Sequence, residues 1–262
     1  MRKEKIIGIV PARMEASRFP GKPLYPICGK PMVEHVFLRA QMFKKWDILS
    51  IATCNIEIQD FAVKKEFPVI MTGNHHIRAL DRVAEAAKLL LDDIQENDII
   101  VCVQGDEPMM KPDMIDAVIQ PLINDINIPG AILAMHIVEE EIWINPDTVK
   151  LIFNSSNEVL YTSRAPIPYC KGKFSEELMA RRIYGIFSFR WKYLKAFTEH
   201  QETRLEALES CDSNRILDLP FRQRIAPYEA IKSFSVDSPS DIALVEKHMN
   251  ADEYWHLYKD IE

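Results

Sequence analysis

The chain has 262 residues, 47% hydrophobic and 27% charged, the balance of a folded protein of one large domain or two small ones. A formal net charge of −7 excludes a general nucleic-acid binder, whose footprint is broadly basic, but leaves room for a local basic pocket. No apolar run approaches the roughly 18–20 residues that span a bilayer, and IIGIV at the start is too short for a signal peptide, so a cytoplasmic protein with no membrane partner is expected.

KIIGIV (5–10) is a short β-branched run ended by a proline and reads as a buried strand. PMVEHVFLRAQMF (31–43) has helical spacing with proline at its start. Then follow a strand at 48–53, a helix at 56–66, a strand at 68–72 and an amphipathic helix at 79–91. NDIIVCVQGDEP (97–108) is apolar on both faces and runs into a polar loop; a helix at 111–124 and a strand at 130–138 come next. Strands alternating with helices at this rhythm predict an α/β fold: a mostly parallel, Rossmann-like sheet with helices on both faces. Ligands of such sheets bind at the carboxyl ends of strands, so the loops at 11–23 and 104–108 belong on one edge.

Beyond residue 145 the pattern is mixed. Residues 148–154 and 158–168 read as paired strands, 181–190 as another, and 191–200 and 204–219 as helices. Residues 231–250 read as a strand, a loop and a closing helix capped by Ser238 or Ser240. The whole is expected as a single domain, 1–262, with a core at 1–145 and 230–262 and a smaller mixed β subdomain at 146–229. Five scattered cysteines without a C-x-x-C pair predict neither a disulfide framework nor a zinc site, and Cys102 reads as a small core residue.

PARMEASRFPGKPL (11–24) places Arg13, Arg18 and Lys22 after the first strand, with Gly21 allowing close backbone approach. Cations held against a strand end need anions, and guanidinium forks match phosphate oxygens. The loop is neither a Walker A loop nor a G-x-G-x-x-G fingerprint. By pattern alone a solvated basic turn is an equal reading. VQGDEPM (103–109) sets Gln104, Asp106 and Glu107 past a strand end, where one or two carboxylates beside phosphates suit magnesium. Glu107 is as readily a cap of the next helix, and Asp237 in SVDSPSD (235–241) read alone is a turn or cap residue.

These motifs together resemble the 3-deoxy-manno-octulosonate cytidylyltransferase family of sugar-acid cytidylyltransferases. PARMEASRFPGKPL is similar to its P-A-R-x-x-S-x-R-[LF]-P-G-K-P-L signature, VQGDEP to V-Q-G-D-E-P, SVDSPSD to V-D-T-P-x-D, NPDTVKL (145–151) to N-P-N-x-V-K and YTSRAPIPY (161–169) to Y-F-S-R-A-x-I-P-[WY]. The likeness runs from residue 6 to about 250. It implies a nucleotide-diphospho-sugar transferase-like fold, a homodimer, and CTP-dependent transfer of CMP to a small acidic acceptor in lipopolysaccharide biosynthesis. It also implies Mg2+ on Asp106 and Asp237. Arg13, Lys22 and Asp106 become the catalytic candidates. Arg13, Arg18, Lys22, Arg78, Asp81, Arg82, Gln104, Arg164, Glu209 and Asp212 become the substrate-binding ones.

The sequence departs from the family's pattern where the acceptor is expected. S-G-T-D-R becomes RALDR (78–82), preceded by His75 and His76, which read as a polar loop for want of further ligands. The histidine of R-H-x-G-I-Y is Ile183, and Glu-Gln in the late acidic motif is Asp212–Ser213. Donor and metal features are kept. The acceptor stays open between 3-deoxy-manno-octulosonate (Kdo), another sugar acid and a small phosphonate. A glycosyltransferase on a similar fold and a non-catalytic nucleotide-binding regulator are the rival readings.

Overall fold

The computed structural model describes residues 2–15, 18–231 and 234–261. It divides into two compact units, Met1–Asp116 with Lys232–Glu262, and Ala117–Ile231.

The first unit begins with β1 (Ile6–Pro11), a two-stranded ribbon of β2 (Pro26–Ile27) and β3 (Lys30–Pro31), and α1 (Met32–Gln41). It continues with β4 (Ile48–Thr53), α2 (Ile56–Lys64), β5 (Val69–Met71), α3 (Ala79–Leu90) and β6 (Ile99–Val103). α4 (Pro112–Asn124) carries the boundary between the units. β1 pairs in parallel with both β4 and β6, and β4 pairs in parallel with β5, giving the order β6-β1-β4-β5. Every residue of β1 and β6 is buried, so both faces of the sheet are covered, as continuous apolar runs require. Cys102 is a core residue, and the cysteines of the described residues are free.

The second unit holds β7 (Gly130–His136), α5 (Glu140–Ile144), β8 (Lys150–Phe153), β9 (Val159–Ser163), β10 (Arg181–Arg190), α6 (Trp191–Glu199), α7 (Arg204–Glu209) and β11 (Arg224–Tyr228). Here β10 runs antiparallel to β7 and β8, β8 antiparallel to β9, and β11 parallel to β7. The mixed pattern expected after residue 145 is therefore present. The boundary expected there falls inside this unit.

Some elements differ from expectation. The helix expected over 204–219 stops at Glu209. Ser210 takes a left-handed conformation, φ 48°, and after it Asp212–Asp218 form a tighter 3-10 helix. β11 went unread because Pro227 lacks an N–H; the strand tolerates it at a sheet edge. Of the strand expected at the start of 231–250, Lys232 and Ser233 lie outside the described residues, and residues 234–237 have no strand pairing.

The chain returns to the first unit with α8 (Asp241–Met249) and α9 (Trp255–Tyr258). Their apolar faces close over Phe19, Ile27 and Met32, so the carboxyl-terminal segment packs directly beneath the loop that follows β1. At the centre of this contact His35 is fully buried. Its Nδ1 lies 2.7 Å from the Tyr258 hydroxyl and its Nε2 lies 2.8 Å from the Ile27 carbonyl oxygen. Arg39 Nε donates to the same hydroxyl, so the phenol donates to Nδ1 and Nε2 carries the imidazole proton. Burial pushes His35 down to about 4, with the Ile27 carbonyl opposing and the Arg39 charge assisting.

A pH dependence follows. The unfolded imidazole takes up its proton near the ordinary value of 6.5 and the folded one near 4. Between those values the unfolded state binds more protons. Stability is complete above pH 6.5 and is lost as pH falls toward 4, by about 3 kcal/mol in all. Urea unfolding across that range should show this slope in the native chain and a shallower one in His35→Gln. Equal slopes would remove His35 as the cause.

Candidate active site

The loop after β1 closes on itself through Gly21, whose φ of 76° no side chain favours and whose N–H donates to the Met14 carbonyl at 2.9 Å. Residues Lys22–Leu24 then form a single 3-10 turn. At the end of the adjacent β6, Gly105 lies so close to β1 that a β-carbon there would approach the Pro11 carbonyl oxygen to 2.8 Å. The two loops expected on one edge thus meet, and they line a cavity of about 280 Å³.

Arg13, Arg18, Lys22, Arg78 and Arg82 supply its positive charge; Asp106 and Asp237 supply its negative charge. Lys22 Nζ donates to Asp106 Oδ2 at 3.0 Å and to the Val236 carbonyl at 2.7 Å. Arg18 Nη2 donates to Asp237 Oδ1 at 2.6 Å. Gln104 lines the same cavity. Arg78 stands at the amino end of α3, while the nearly inaccessible Arg82 donates to Thr72 Oγ1 and to the Gly73 and His76 carbonyls, bracing the 72–76 loop. Asp81, in the first turn of α3, is not among the lining residues.

Two ties that sequence reasoning did not foresee hold the aspartates in register. Val236 N–H donates to the Asp106 carbonyl at 3.0 Å, and Ser235 Oγ donates to Glu107 Oε1 at 2.7 Å. Glu107 is therefore a buried strut between the loops rather than a helix cap. Ser240, one of the two caps expected, stands at the N-cap position of α8 but makes no side-chain cap bond. Asp241 Oδ2 accepts from the Asp237 and Ser238 N–H groups at 2.9 and 2.7 Å. Asp237 is held by these backbone bonds and not by a preceding strand.

Asp106 and Asp237 keep about a third of their side-chain surface exposed and present only oxygen donors to the cavity. Two hard, accessible carboxylates facing a basic pocket suit Mg2+ shared with phosphate oxygens, and each already balances a cation. The residues fit the metal.

Arg164, Glu209 and Asp212 belong to the second unit and are not among the residues lining this cavity. Glu209 accepts from the Tyr161 hydroxyl at 2.6 Å, from Ser163 Oγ at 2.9 Å and from the Arg164 N–H at 2.9 Å. Partial burial opposes its ionisation, but these donors hold the carboxyl below the usual range. The bond to the Glu209 carboxylate in turn pushes the Tyr161 phenol up, with burial assisting. The Arg164 guanidinium donates to the carbonyls of Glu209, Pro146 and Ser210. This pair organises the β9–α7 corner. Asp212 opens the following 3-10 helix.

A family model described as cytidylyltransferase matches residues 7–247. A 3-deoxy-manno-octulosonate cytidylyltransferase of Syntrophus aciditrophicus is 37% identical over 243 residues, covering 92% of this chain and 96% of that protein. One of Thermodesulfovibrio yellowstonii is 35% identical over 251 residues, covering 93% and 98%. A solved structure of a CMP:2-keto-3-deoxy-manno-octonic acid synthetase complexed with CTP matches with a TM-score of 0.85 at 31% identity, over 95% of this chain and 99% of that one. A 4-diphosphocytidyl-2C-methyl-D-erythritol synthase, at 14% identity and a TM-score of 0.64, shares the fold.

Proposed function

We infer the reaction from one premise: the chain belongs to the 3-deoxy-manno-octulosonate cytidylyltransferase family. It transfers CMP from CTP to Kdo, releasing pyrophosphate and activating the sugar acid for lipopolysaccharide assembly. The observation that carries this reading is the joint lining of one cavity by Arg13, Arg18, Lys22, Asp106 and Asp237.

The acceptor hydroxyl oxygen attacks the α-phosphorus in line. The bond to the bridging oxygen of the β-phosphate breaks, pyrophosphate departs, and the hydroxyl proton passes to solvent. Arg13, Arg18 and Lys22 neutralise the phosphates. Lys22 and Arg18 exchange their carboxylate partners for phosphate oxygens when nucleotide enters. Asp106 and Asp237 would hold Mg2+, which supplies charge neutralisation at the α-phosphate and the attacking oxygen. Gln104 orients the substrates from the loop after β6, with Asp81 and Arg82 supporting the adjoining wall. Positioning and electrostatics carry the chemistry, and no nucleophile on the protein is required.

Residues 146–229 are assigned to acceptor binding and dimerisation, with Arg164, Glu209 and Asp212 shaping the acceptor's surroundings. The family likeness supports a homodimer, which sedimentation equilibrium checks as twice the chain mass. Arg78 on the cavity wall favours a second reading, a small phosphonate acceptor, since it adds a cation to the pocket. A screen of Kdo, its amino analogue, other sugar acids and phosphonates with CTP, reading pyrophosphate, tests both. Release with Kdo is the expected result. CTP binding with no turnover on any acid would sink the enzymatic reading.

A further inference from the structure

Beside the nucleotide cavity, the loop between β5 and α3 brings together three side chains that the transfer reaction does not use. Ligand atoms of His75, His76 and Glu85 all lie within 4.8 Å of one another. The two imidazole centroids are 4.1 Å apart, and His76 Nε2 contacts Glu85 Oε2 directly. Glu85 comes from the second turn of α3, which is why the paired histidines looked like an unassisted polar loop in the sequence.

The arrangement is braced. Gly73 N–H donates to both oxygens of Glu85, at 3.2 and 3.0 Å, fixing the carboxylate plane as an outer partner of a ligand does. Arg82 holds the Gly73 and His76 carbonyls. Glycine at 73 leaves the space that the His75 ring occupies; a β-carbon there would collide with its Nδ1 and Cε1 atoms. His75 is exposed and can turn, so separations of up to 4.8 Å can close to the roughly 3–4 Å between donors that each bind zinc at about 2.0–2.2 Å.

We propose that His75, His76 and Glu85 form a binding site for a divalent transition metal of the zinc class, distinct from the aspartate pair. Two imidazoles and one carboxylate are a nitrogen-rich set that prefers Zn2+, Co2+ or Ni2+ over Mg2+. Three protein ligands leave a coordination position for water or a phosphate oxygen. His76 lines the nucleotide cavity, so that position lies next to the donor substrate. The site stands on its own geometry and does not depend on the acceptor assigned above.

The test is equilibrium dialysis of the full chain against Zn2+ in excess Mg2+, with bound zinc read by atomic emission. A single saturable equivalent is expected. His75→Ala and Glu85→Gln should each weaken it about tenfold or more. Gly73→Ala should weaken it too by displacing the His75 ring, and His200→Ala, in the other unit, should leave it unchanged. His75→Ala is the decisive variant because an exposed side chain can be removed without unfolding the loop, which circular dichroism verifies. Absence of saturable zinc binding, or zinc retained unchanged by folded His75→Ala, overturns the proposal.

Discussion

Asp106→Asn should lose turnover with CTP by about 10²–10³-fold or more while its circular dichroism and unfolding midpoint match the native protein. The side chain pairs with Lys22 Nζ at 3.0 Å in a partly exposed position, an interaction of small worth to stability. Asparagine keeps an oxygen for that lysine and for the cavity wall but removes the negative charge. The loop is held by the Asp106 backbone carbonyl and by Glu107, which the substitution does not touch. The loss therefore reports on the carboxylate alone. Steady-state assays of pyrophosphate release at saturating CTP and several Mg2+ concentrations check it. Full activity in the variant would remove Asp106 from the metal assignment and with it the mechanism drawn for the cavity.

Glu206→Ala should produce the largest loss of stability, about 3–5 kcal/mol, with roughly 1 kcal/mol more from the helix end. Glu206 is completely buried and its carboxylate takes a two-pronged bond from Arg215, Nε to Oε2 at 2.9 Å and Nη2 to Oε1 at 2.7 Å. The same residue closes a capping box with Thr203 at the start of α7. Removing it leaves the buried Arg215 charge against the Phe197 ring, 4.8 Å from its centroid, without its carboxylate. Urea denaturation measures the change. A cost below 1 kcal/mol would mean that water reaches the guanidinium in the variant and that the pair is far less confined than the burial indicates.

Much of the first unit was legible because its signals are local. β4 begins and ends where the alternation of apolar runs and breakers puts it, and α3 shows its amphipathic stripe directly. Arg13, Arg18, Lys22 and Asp106 stand in short motifs whose residue types suit phosphate and magnesium, and the β6-β1-β4-β5 order carries both loops to one edge. The break at Ser210 was not legible: Leu205 to Asp218 keeps a helix-like composition, and only the tertiary bonds of Glu206 and Glu209 decide where the chain turns. β11 was hidden by Pro227, whose missing N–H argues against a strand unless an edge position is known.

Roles that depend on a partner far along the chain were the ones the sequence left ambiguous. Glu107, open between a site carboxylate and a helix cap, became a strut because Ser235, 128 residues later, donates to it. His75 and His76 looked unassisted because Glu85 reaches them from a different element. Fold class and family were readable from the order of residues alone, since hydrophobic period and contiguous motifs are encoded over a few neighbouring residues. Which cation faces which carboxylate, which polar groups are structural ties and that His75, His76 and Glu85 come together emerged only from the fold. Those outcomes depend on distances between side chains from separate elements, and folding alone sets them.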